Sequence, residues 1–438
     1  MKRIKIFGNI DFGLYASLVT LGLLPAIYTA IRTNFLGHLP SGYAYSIAGQ
    51  LSWVNLIYEV VNEAIILPLF CFLTVEDKKE FRNRLRTGLL ISIVIYIALS
   101  LAVSLAAVPL LNIMAVSKDI LAESAVYIRI ESAALVFGIL YDFAMVALIT
   151  TGSRKQIYMI SVFKCAVTIV LDIFLVSSLP VSLRLGVNGM GISNVISNIL
   201  MFAAAVYALE KGGWSVFSGP KMSFCWMKDL AKTGGISGLE SFVRNAAYML
   251  MVSRMVNIVG EQGTYWAANS FIWGWILLPV LQLGELIKRD AAKKIGKTDI
   301  KGYMALTAVI CLMWAALVPL YGPFMQHVLG FPDTGKTLGL VRILLIPYMF
   351  FAFQNVFDAV FYGSGRTEYM LFESLVTNAL YYGAFYAAFL RGLWVPSLTG
   401  IAVMFGGGNI FDSLISGLAY LHFVRTKKQP ARDVCQLE

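Results

Sequence analysis

The sequence predicts an all-α polytopic membrane protein with twelve transmembrane helices in two six-helix lobes. The first observation is composition: of 438 residues, 58% are hydrophobic and 14% are charged, whereas a soluble domain keeps roughly a quarter of its residues charged. The others are twelve apolar stretches and an uneven distribution of basic residues. Too few polar residues remain to cover a water-facing surface, which excludes soluble enzymes and nucleic-acid modules and makes the lipid bilayer the expected partner.

Twelve stretches are long enough to cross a bilayer, since a spanning helix needs about 20 mostly apolar residues. Several are longer than this minimum, which indicates tilting or extension beyond the hydrocarbon. The predicted spans are 12–36, 45–73, 88–111, 120–150, 156–178, 187–209, 230–257, 264–287, 303–325, 337–362, 369–391 and 398–424.

The distribution of Lys and Arg supports this number of spans. If the N-terminus is cytoplasmic, 25 of the 35 basic residues fall in cytoplasmic segments, as the positive-inside rule requires. The external loops then hold only Lys118, Arg184, Lys336 and Arg391. We therefore predict that both termini are cytoplasmic, and that the net charge of +10 reflects cytoplasmic loops and not a nucleic-acid partner.

Residues typical of enzymes are missing from the sequence pattern. The five cysteines are scattered, without a CxxC pair, and predict neither a metal site nor a disulfide framework. The three histidines, His38, His327 and His422, all fall at span ends. With no nucleophile motif or phosphate-binding loop, we expect a protein that is not an enzyme and has no metal.

The two halves of the chain show signs of duplication. Leu67-Pro68 and Leu278-Pro279 lie 211 residues apart, and the same offset relates four further pairs of positions between spans 2 and 12. Because six spans separate equivalent positions, the repeat is parallel. This predicts an N-lobe over 1–209, a cytoplasmic linker over 210–229 and a C-lobe over 230–438.

Three motifs, in order and spacing, give the chain a resemblance to a known family. They are Phe35–Leu39 (FLGHL) ending span 1, Leu185–Asn194 (LGVNGMGISN) opening span 6, and Gly363–Thr367 (GSGRT) after span 10. Together with the twelve spans, the chain resembles the multidrug and toxic compound extrusion (MATE) transporters of the wider multidrug/oligosaccharide-lipid/polysaccharide exporter superfamily. The resemblance implies a monomeric antiporter of the cell inner (plasma) membrane that exchanges a small-molecule substrate, such as a xenobiotic, for H⁺ or Na⁺ as its coupling ion, without another cofactor.

The resemblance also implies a cation site in the N-lobe. In the family, an Asn and an Asp one helical turn apart on span 5 belong to this site; here Thr168 replaces the Asn and Asp172 keeps the carboxylate. Asn194 matches a third position, on span 6, where Thr is usual. The alternative is that Asp172 is a carboxylate neutralised by a neighbour, with no role in coupling.

Arg32 stands where members of the family typically carry an Asp on span 1. A guanidinium does not lose its proton in proteins, so it would occupy the place of a monovalent cation. We expect Arg32 and Asp172 to form a buried pair in which Arg32 acts as a tethered cation. This argues against Na⁺ coupling through the site and favours protonation of Asp172, or of Glu59 and Glu63, as the switch.

Glu59 and Glu63 are four residues apart and share one face of span 2. Two nearby carboxylates in a low dielectric favour proton binding near neutrality. The alternative is that the two glutamates simply balance Arg32 or Arg129.

Further ionisable residues within the spans are candidates for a substrate cavity, because buried charge is costly unless it is paired or wetted. Arg129, Arg254 and Arg342 are shallow and, if they face one cavity, favour an anionic cargo; the alternative is that each reaches the headgroups or pairs locally. Glu240 and Arg244 are spaced as a local ion pair on span 7. The candidate cavity residues are thus Arg129, Glu131, Arg254, Arg342, Glu240 and Arg244.

Function follows from these features as an order of hypotheses. The first is a secondary active antiporter that exports a small organic molecule, with H⁺ favoured over Na⁺. The second is a flippase or exporter of a lipid-linked or anionic metabolite, although flippases of this kind usually have additional spans. The third, from another class, is a channel or receptor without coupled transport.

Overall fold

The computed structural model describes residues 10–39, 42–73, 75, 77–218, 221–293, 300–331 and 333–426. Within them, twelve helical segments correspond one to one with the predicted spans. The predictions for the two chain termini concern residues outside this part of the chain. The segments are α1 (Phe12–Gly37), α2 (Ala44–Phe72), α3 (Lys78–Ile113), α4 (Lys118–Thr150), α5 (Arg154–Leu175), α6 (Gly186–Lys211), α7 (Met227–Tyr248 continued by Met249–Ser253 and Arg254–Ile258), α8 (Gln262–Phe271, Ile272–Ile276 and Leu278–Lys293), α9 (Ile300–His327), α10 (Thr334–Gly363), α11 (Glu368–Val376, Thr377–Tyr382 and Gly383–Leu390) and α12 (Leu398–Thr426).

Length and apolarity alone qualify eight of the described helices as spans, and the two parts of α8 form a ninth, bent by 50°. The bend lies where a π-helical turn, Ile272–Ile276, meets Pro279. Proline has no backbone N–H to continue the helix, so the bend that the sequence predicts at this residue is present.

Three helices contain a π-helical turn, an insertion that is frequent at functional sites. The turns are Met249–Ser253 in α7, Ile272–Ile276 in α8 and Thr377–Tyr382 in α11. Hydropathy carries no signal for such turns, and the sequence reading did not predict them.

Helix α3 begins ten residues before the predicted span at 88. The side chain of Asp77 caps its first turn by accepting a hydrogen bond from the Lys79 backbone N–H. The polar extension is stabilised by the segment that precedes α7: the rings of Phe81 and Trp214 lie 4.7 Å apart, and Trp226 donates to the Thr87 hydroxyl at 3.0 Å. A count of apolar residues misses the extension because its contacts are polar and aromatic.

The chain divides into two compact units: a first unit of residues 31–249 and a second unit of residues 1–30 with 250–438. Both boundaries fall inside helices, in α1 and in α7. The six-helix lobes expected from the sequence repeat stay a prediction.

In the first unit, α4 packs against α3, α6 and α2, while α2 also packs along α7. The crossing of α2 and α7 requires glycine: a Cβ built on Gly234 would lie 1.8 Å from the backbone oxygen of Ala64. No side chain fits there, so this glycine allows the charged residues of the two helices to come together.

In the second unit, α10 packs against α8, α9 and α12, and α11 lies along α12. Aromatic rings fill one end of this packing, with Phe361 and Tyr369 stacked at 5.0 Å between centroids. The π-helical turn of α11 places Tyr381 and Tyr382 over Gly407 and Gly408 of α12, where a Cβ would lie within 2.3 Å of either hydroxyl.

Candidate functional site

A buried ion pair joins α1 to α5. Nε and Nη2 of Arg32 donate to the two carboxylate oxygens of Asp172 at 2.7 and 3.0 Å. Arg32 is 8% exposed and Asp172 is 1% exposed. Two parallel charge-assisted hydrogen bonds are the strongest arrangement available to these groups. Since water reaches neither group well, removing one partner would leave an uncompensated buried charge.

The guanidinium of Arg32 also reaches α6 and, through it, α4. Nη1 donates to Oδ1 of Asn194 at 2.8 Å, and Nη2 lies 3.4 Å from the Ser193 hydroxyl. The amide of Asn194 then donates to Oε1 of Glu131 at 2.8 Å, and the Tyr127 hydroxyl makes a second hydrogen bond to Glu131. These contacts define the Arg32 cluster: Arg32, Glu131, Asp172, Ser193 and Asn194.

The charges of the Arg32 cluster do not balance if every group is ionised. One guanidinium faces two carboxylates, and the direct ion pair is with Asp172. Glu131 is 2% exposed and is connected to Arg32 through the neutral amide of Asn194. Because an uncompensated buried charge is costly, Glu131 is the member of the cluster best placed to take up a proton.

Thr168 lies one turn before Asp172 but faces a different neighbour. Its hydroxyl is 3.2 Å from the Ser197 hydroxyl on α6. The structure therefore places Thr168 at the packing between α5 and α6, beside the Arg32 cluster.

A second group of charges joins α7 to α2. Nη2 of Arg244 lies 2.9 Å from Glu63 and 3.2 Å from Glu59, and its Nε lies 3.7 Å from Glu240. The local pair with Glu240 is therefore present, but it is the longest of the three contacts. The suggestion that Glu59 and Glu63 balance Arg32 or Arg129 named the wrong partner, because α7 brings Arg244 to them. We call Arg244, Glu59, Glu63 and Glu240 the Arg244 cluster.

A polar cavity of about 260 Å³ opens beside the Arg244 cluster. It lies between α2, α3 and α4, and two carboxylates face it along with amide and phenol groups. Such a concave site, with convergent polar groups among apolar ones, is typical of small-molecule binding. Its lining residues are Asn55, Tyr58, Glu59, Asn62, Tyr96, Leu135, Gly138, Ile139 and Asp142.

The shallow arginines predicted for a substrate cavity do not line this one. Arg129 is exposed and donates to the backbone oxygen of Ser104 at 3.2 Å. Arg342 is exposed and Arg254 is half-buried, and both belong to the second unit. Glu131, placed in the same predicted cavity, lies in the Arg32 cluster.

Sequence reasoning missed several residues of these sites. Asn55, Tyr58, Glu59 and Asn62 recur at helical spacing on α2, so their periodicity marks one polar face and could have identified the cavity. Ser193 carried no separate signal beside Asn194, because a lone serine is common in transmembrane helices.

Comparison with known proteins gives this arrangement a context. Residues 73–174 match the model of the MatE family. No protein of curated function matches the chain.

Solved structures of MATE transporters have the same fold. An inward-facing multidrug resistance MATE family transporter of the MOP superfamily aligns with a TM-score of 0.77 at 17% identity, over 95% of this chain and 99% of the other. A MOP superfamily transporter from Pyrococcus furiosus Vc1 (DSM3638), whose binding pocket of reverse polarity is said to suggest a different function, aligns at 0.73 and 15% identity, over 98% and 99%. MATE in its bent conformation aligns at 0.66 and 16% identity, over 97% and 98%. The all-α, multi-pass fold class predicted from the sequence is confirmed.

Proposed function

Because the chain carries a MatE domain on the fold of MATE family proteins, which are transporters and not enzymes, we propose that it is a secondary active antiporter. It exports a small organic molecule in exchange for a cation by alternating access, and the cation is H⁺. The membrane is the cell inner (plasma) membrane, with both termini cytoplasmic.

The observation that carries the choice of ion is the bidentate pair between Arg32 and Asp172. The carboxylate that would coordinate Na⁺ has both oxygens taken by a guanidinium, and Asn194 is held by the same group. A fixed positive charge at this place repels a second cation. Proton binding needs no such coordination shell, and Glu131 supplies a buried carboxylate for it.

The Arg244 cluster offers a link between proton binding and conformational change. Helix α2 belongs to the predicted N-lobe and α7 to the predicted C-lobe, so the contacts of Arg244 with Glu59 and Glu63 tie the two together. Protonation of either glutamate removes its attraction for Arg244 and weakens the packing of α2 on α7. Glu59 also lines the cavity, so the same group senses cargo and proton.

The cavity favours one class of cargo. Glu59 and Asp142 supply negative charge, while Tyr58 and Tyr96 supply aromatic surface, and the described lining includes no basic residue. An organic amine suits this lining, because carboxylates pair with its charge and aromatic faces attract cations. The anionic or lipid-linked cargo, as the second hypothesis, rested on the shallow arginines, which lie elsewhere.

Transport in proteoliposomes tests the proposal. Full-length protein is reconstituted with a pH-sensitive dye inside, and candidate organic amines are added in the absence of Na⁺. We expect cargo movement coupled to opposite proton movement in the wild type. Asp172→Asn and Arg32→Ala should lose coupled exchange, and Arg366→Ala, which removes a more exposed ion pair with Glu368, should retain it.

Three outcomes would contradict the proposal. A steep Na⁺ requirement that Asp172→Asn abolishes would assign the site to Na⁺. Cargo flux with no linked proton movement would indicate facilitated passage, and a steady ion conductance without cargo would indicate a channel.

A further inference from the structure

Three carboxyl groups of the second unit converge where α10, α11 and α12 meet. Asp358, Glu373 and Asp412 come from the three helices in turn, and none belongs to the Arg32 or Arg244 cluster. We call them the C-terminal carboxyl cluster. The sequence suggested only that they might bind Arg366 or form a gate, but Arg366 is paired with Glu368 at 2.6 Å.

Asp412 has the surroundings of an ionised carboxylate. Its Oδ1 accepts a hydrogen bond from the Thr377 hydroxyl at 2.7 Å, and its Oδ2 accepts one from the Gln354 amide at 2.6 Å. Ser413 fixes the orientation of that amide by donating to its oxygen at 3.0 Å. Thr377 begins the π-helical turn of α11, so the irregular turn is what brings its hydroxyl to Asp412.

Glu373 has the opposite surroundings. It is 3% exposed, and its Oε1 has no hydrogen-bond partner among the described residues. The group that it faces is the carboxyl of Asp358, whose Oδ1 accepts from the Ser416 hydroxyl at 2.9 Å. Two carboxyl groups in contact can form a hydrogen bond only if one of them holds a proton.

No basic side chain compensates this cluster in the described part of the chain. The groups that act on Asp358 and Glu373 are each other, Asp412, Ser416 and Gln354. Charged residues of nearby segments have partners of their own. These are Lys288 with Glu285, Arg289 with Asp290 and Asp11, Lys336 with Glu261, and Arg366 with Glu368.

We propose that the C-terminal carboxyl cluster is a proton-binding site in which Glu373 and Asp358 share one proton beside an ionised Asp412. Like-charged carboxylates at contact distance do not both ionise readily, and burial strengthens the effect. Asp358 and Asp412 are half-buried, so they connect the enclosed Glu373 to a wetter surrounding through which the proton exchanges. The ligand is H⁺, since no group of three described ligating side chains has the arrangement of a metal site.

Infrared spectroscopy on the resting protein tests this without any transport assay. Full-length protein in nanodiscs is titrated with pH, and the carbonyl band of protonated carboxylic acid is followed. We expect a band worth one proton per chain that is lost in Glu373→Gln. The matched control is Glu368→Gln, the same change on the same helix at an exposed residue, which should keep the band.

A second variant protects the test if Glu373→Gln does not fold. Asp358→Asn replaces the facing carboxylate with an amide that can donate to Glu373, so Glu373 should ionise at a pH lower by about one unit or more. A band that both variants leave unchanged would overturn the proposal. Loss of the wild-type band on adding Na⁺ at constant pH would also overturn it, in favour of a Na⁺ site. Because proton binding is measured directly, this result is independent of whether antiport is observed.

Discussion

The ion pair between Arg32 and Asp172 makes a quantitative prediction about stability. We consider Arg32→Met, Asp172→Asn and the double variant, which together form a double-mutant cycle. The two side chains are 9% and 1% exposed, so neither charge is substantially screened by water. Removing one partner of such a pair costs about 3–5 kcal/mol, because the remaining charge stays buried.

The cycle separates the pair from other effects of each substitution. In Arg32→Met, both oxygens of Asp172 lose their donors at once, and Glu131 adds a second unpaired carboxylate nearby. In the double variant, the uncompensated Asp172 charge is gone, so we expect much of the lost stability to return. The expected coupling energy is about 3 kcal/mol, well above the 0–1 kcal/mol of exposed pairs.

Denaturant unfolding of the full-length protein in mixed micelles measures these differences. The exposed pair between Arg366 and Glu368 serves as the control cycle, with an expected coupling below about 1 kcal/mol. A coupling for Arg32 and Asp172 that is no larger than the control would refute the conclusion that these groups form a dry, mutually dependent pair.

Two further predictions concern the packing of α2 on α7. Gly234→Ala should strongly lower the thermal stability, because its Cβ would lie 1.8 Å from the Ala64 oxygen; Gly235→Ala, with nothing within 4 Å, should leave it unchanged or slightly raise it, and equal effects would contradict the close approach. Arg244→Gln should destabilise the protein by leaving Glu59, Glu63 and Glu240 facing one another, and adding Glu59→Gln and Glu63→Gln should restore thermal stability; a triple variant no more stable than Arg244→Gln would argue against charge repulsion as the cause.

Much of the fold was predictable because lipid imposes simple rules. Backbone groups in the bilayer have to be satisfied within a helix, so length and apolarity were sufficient to locate all twelve helices. The same rules are silent on the polar start of α3, which depends on contacts with Trp214 and Trp226. They are also silent on the π-helical turns, because hydropathy does not report hydrogen-bond register.

The candidate sites were predictable only in part. Arg32, Asp172 and Asn194 could be grouped from the resemblance to a family, and the structure brings them into contact. The partner of Glu59 and Glu63 could not be inferred, because Arg244 is 181 residues from Glu63 and only the packing of α7 on α2 brings it near. Glu373 illustrates the same limit: its unpartnered carboxyl becomes visible once α10 and α12 surround it.

The most direct test of the account is the response of stability to Na⁺. Thermal unfolding of the wild type and of Arg32→Ala is measured as NaCl replaces choline chloride at constant ionic strength. If Arg32 fills the cation position, the wild type should not respond, whereas Arg32→Ala should be stabilised by Na⁺ bound between Asp172 and Asn194, by about 2.7 kcal/mol at 100 times the dissociation constant. Stabilisation of the wild type by Na⁺, lost in Arg32→Ala, would contradict it.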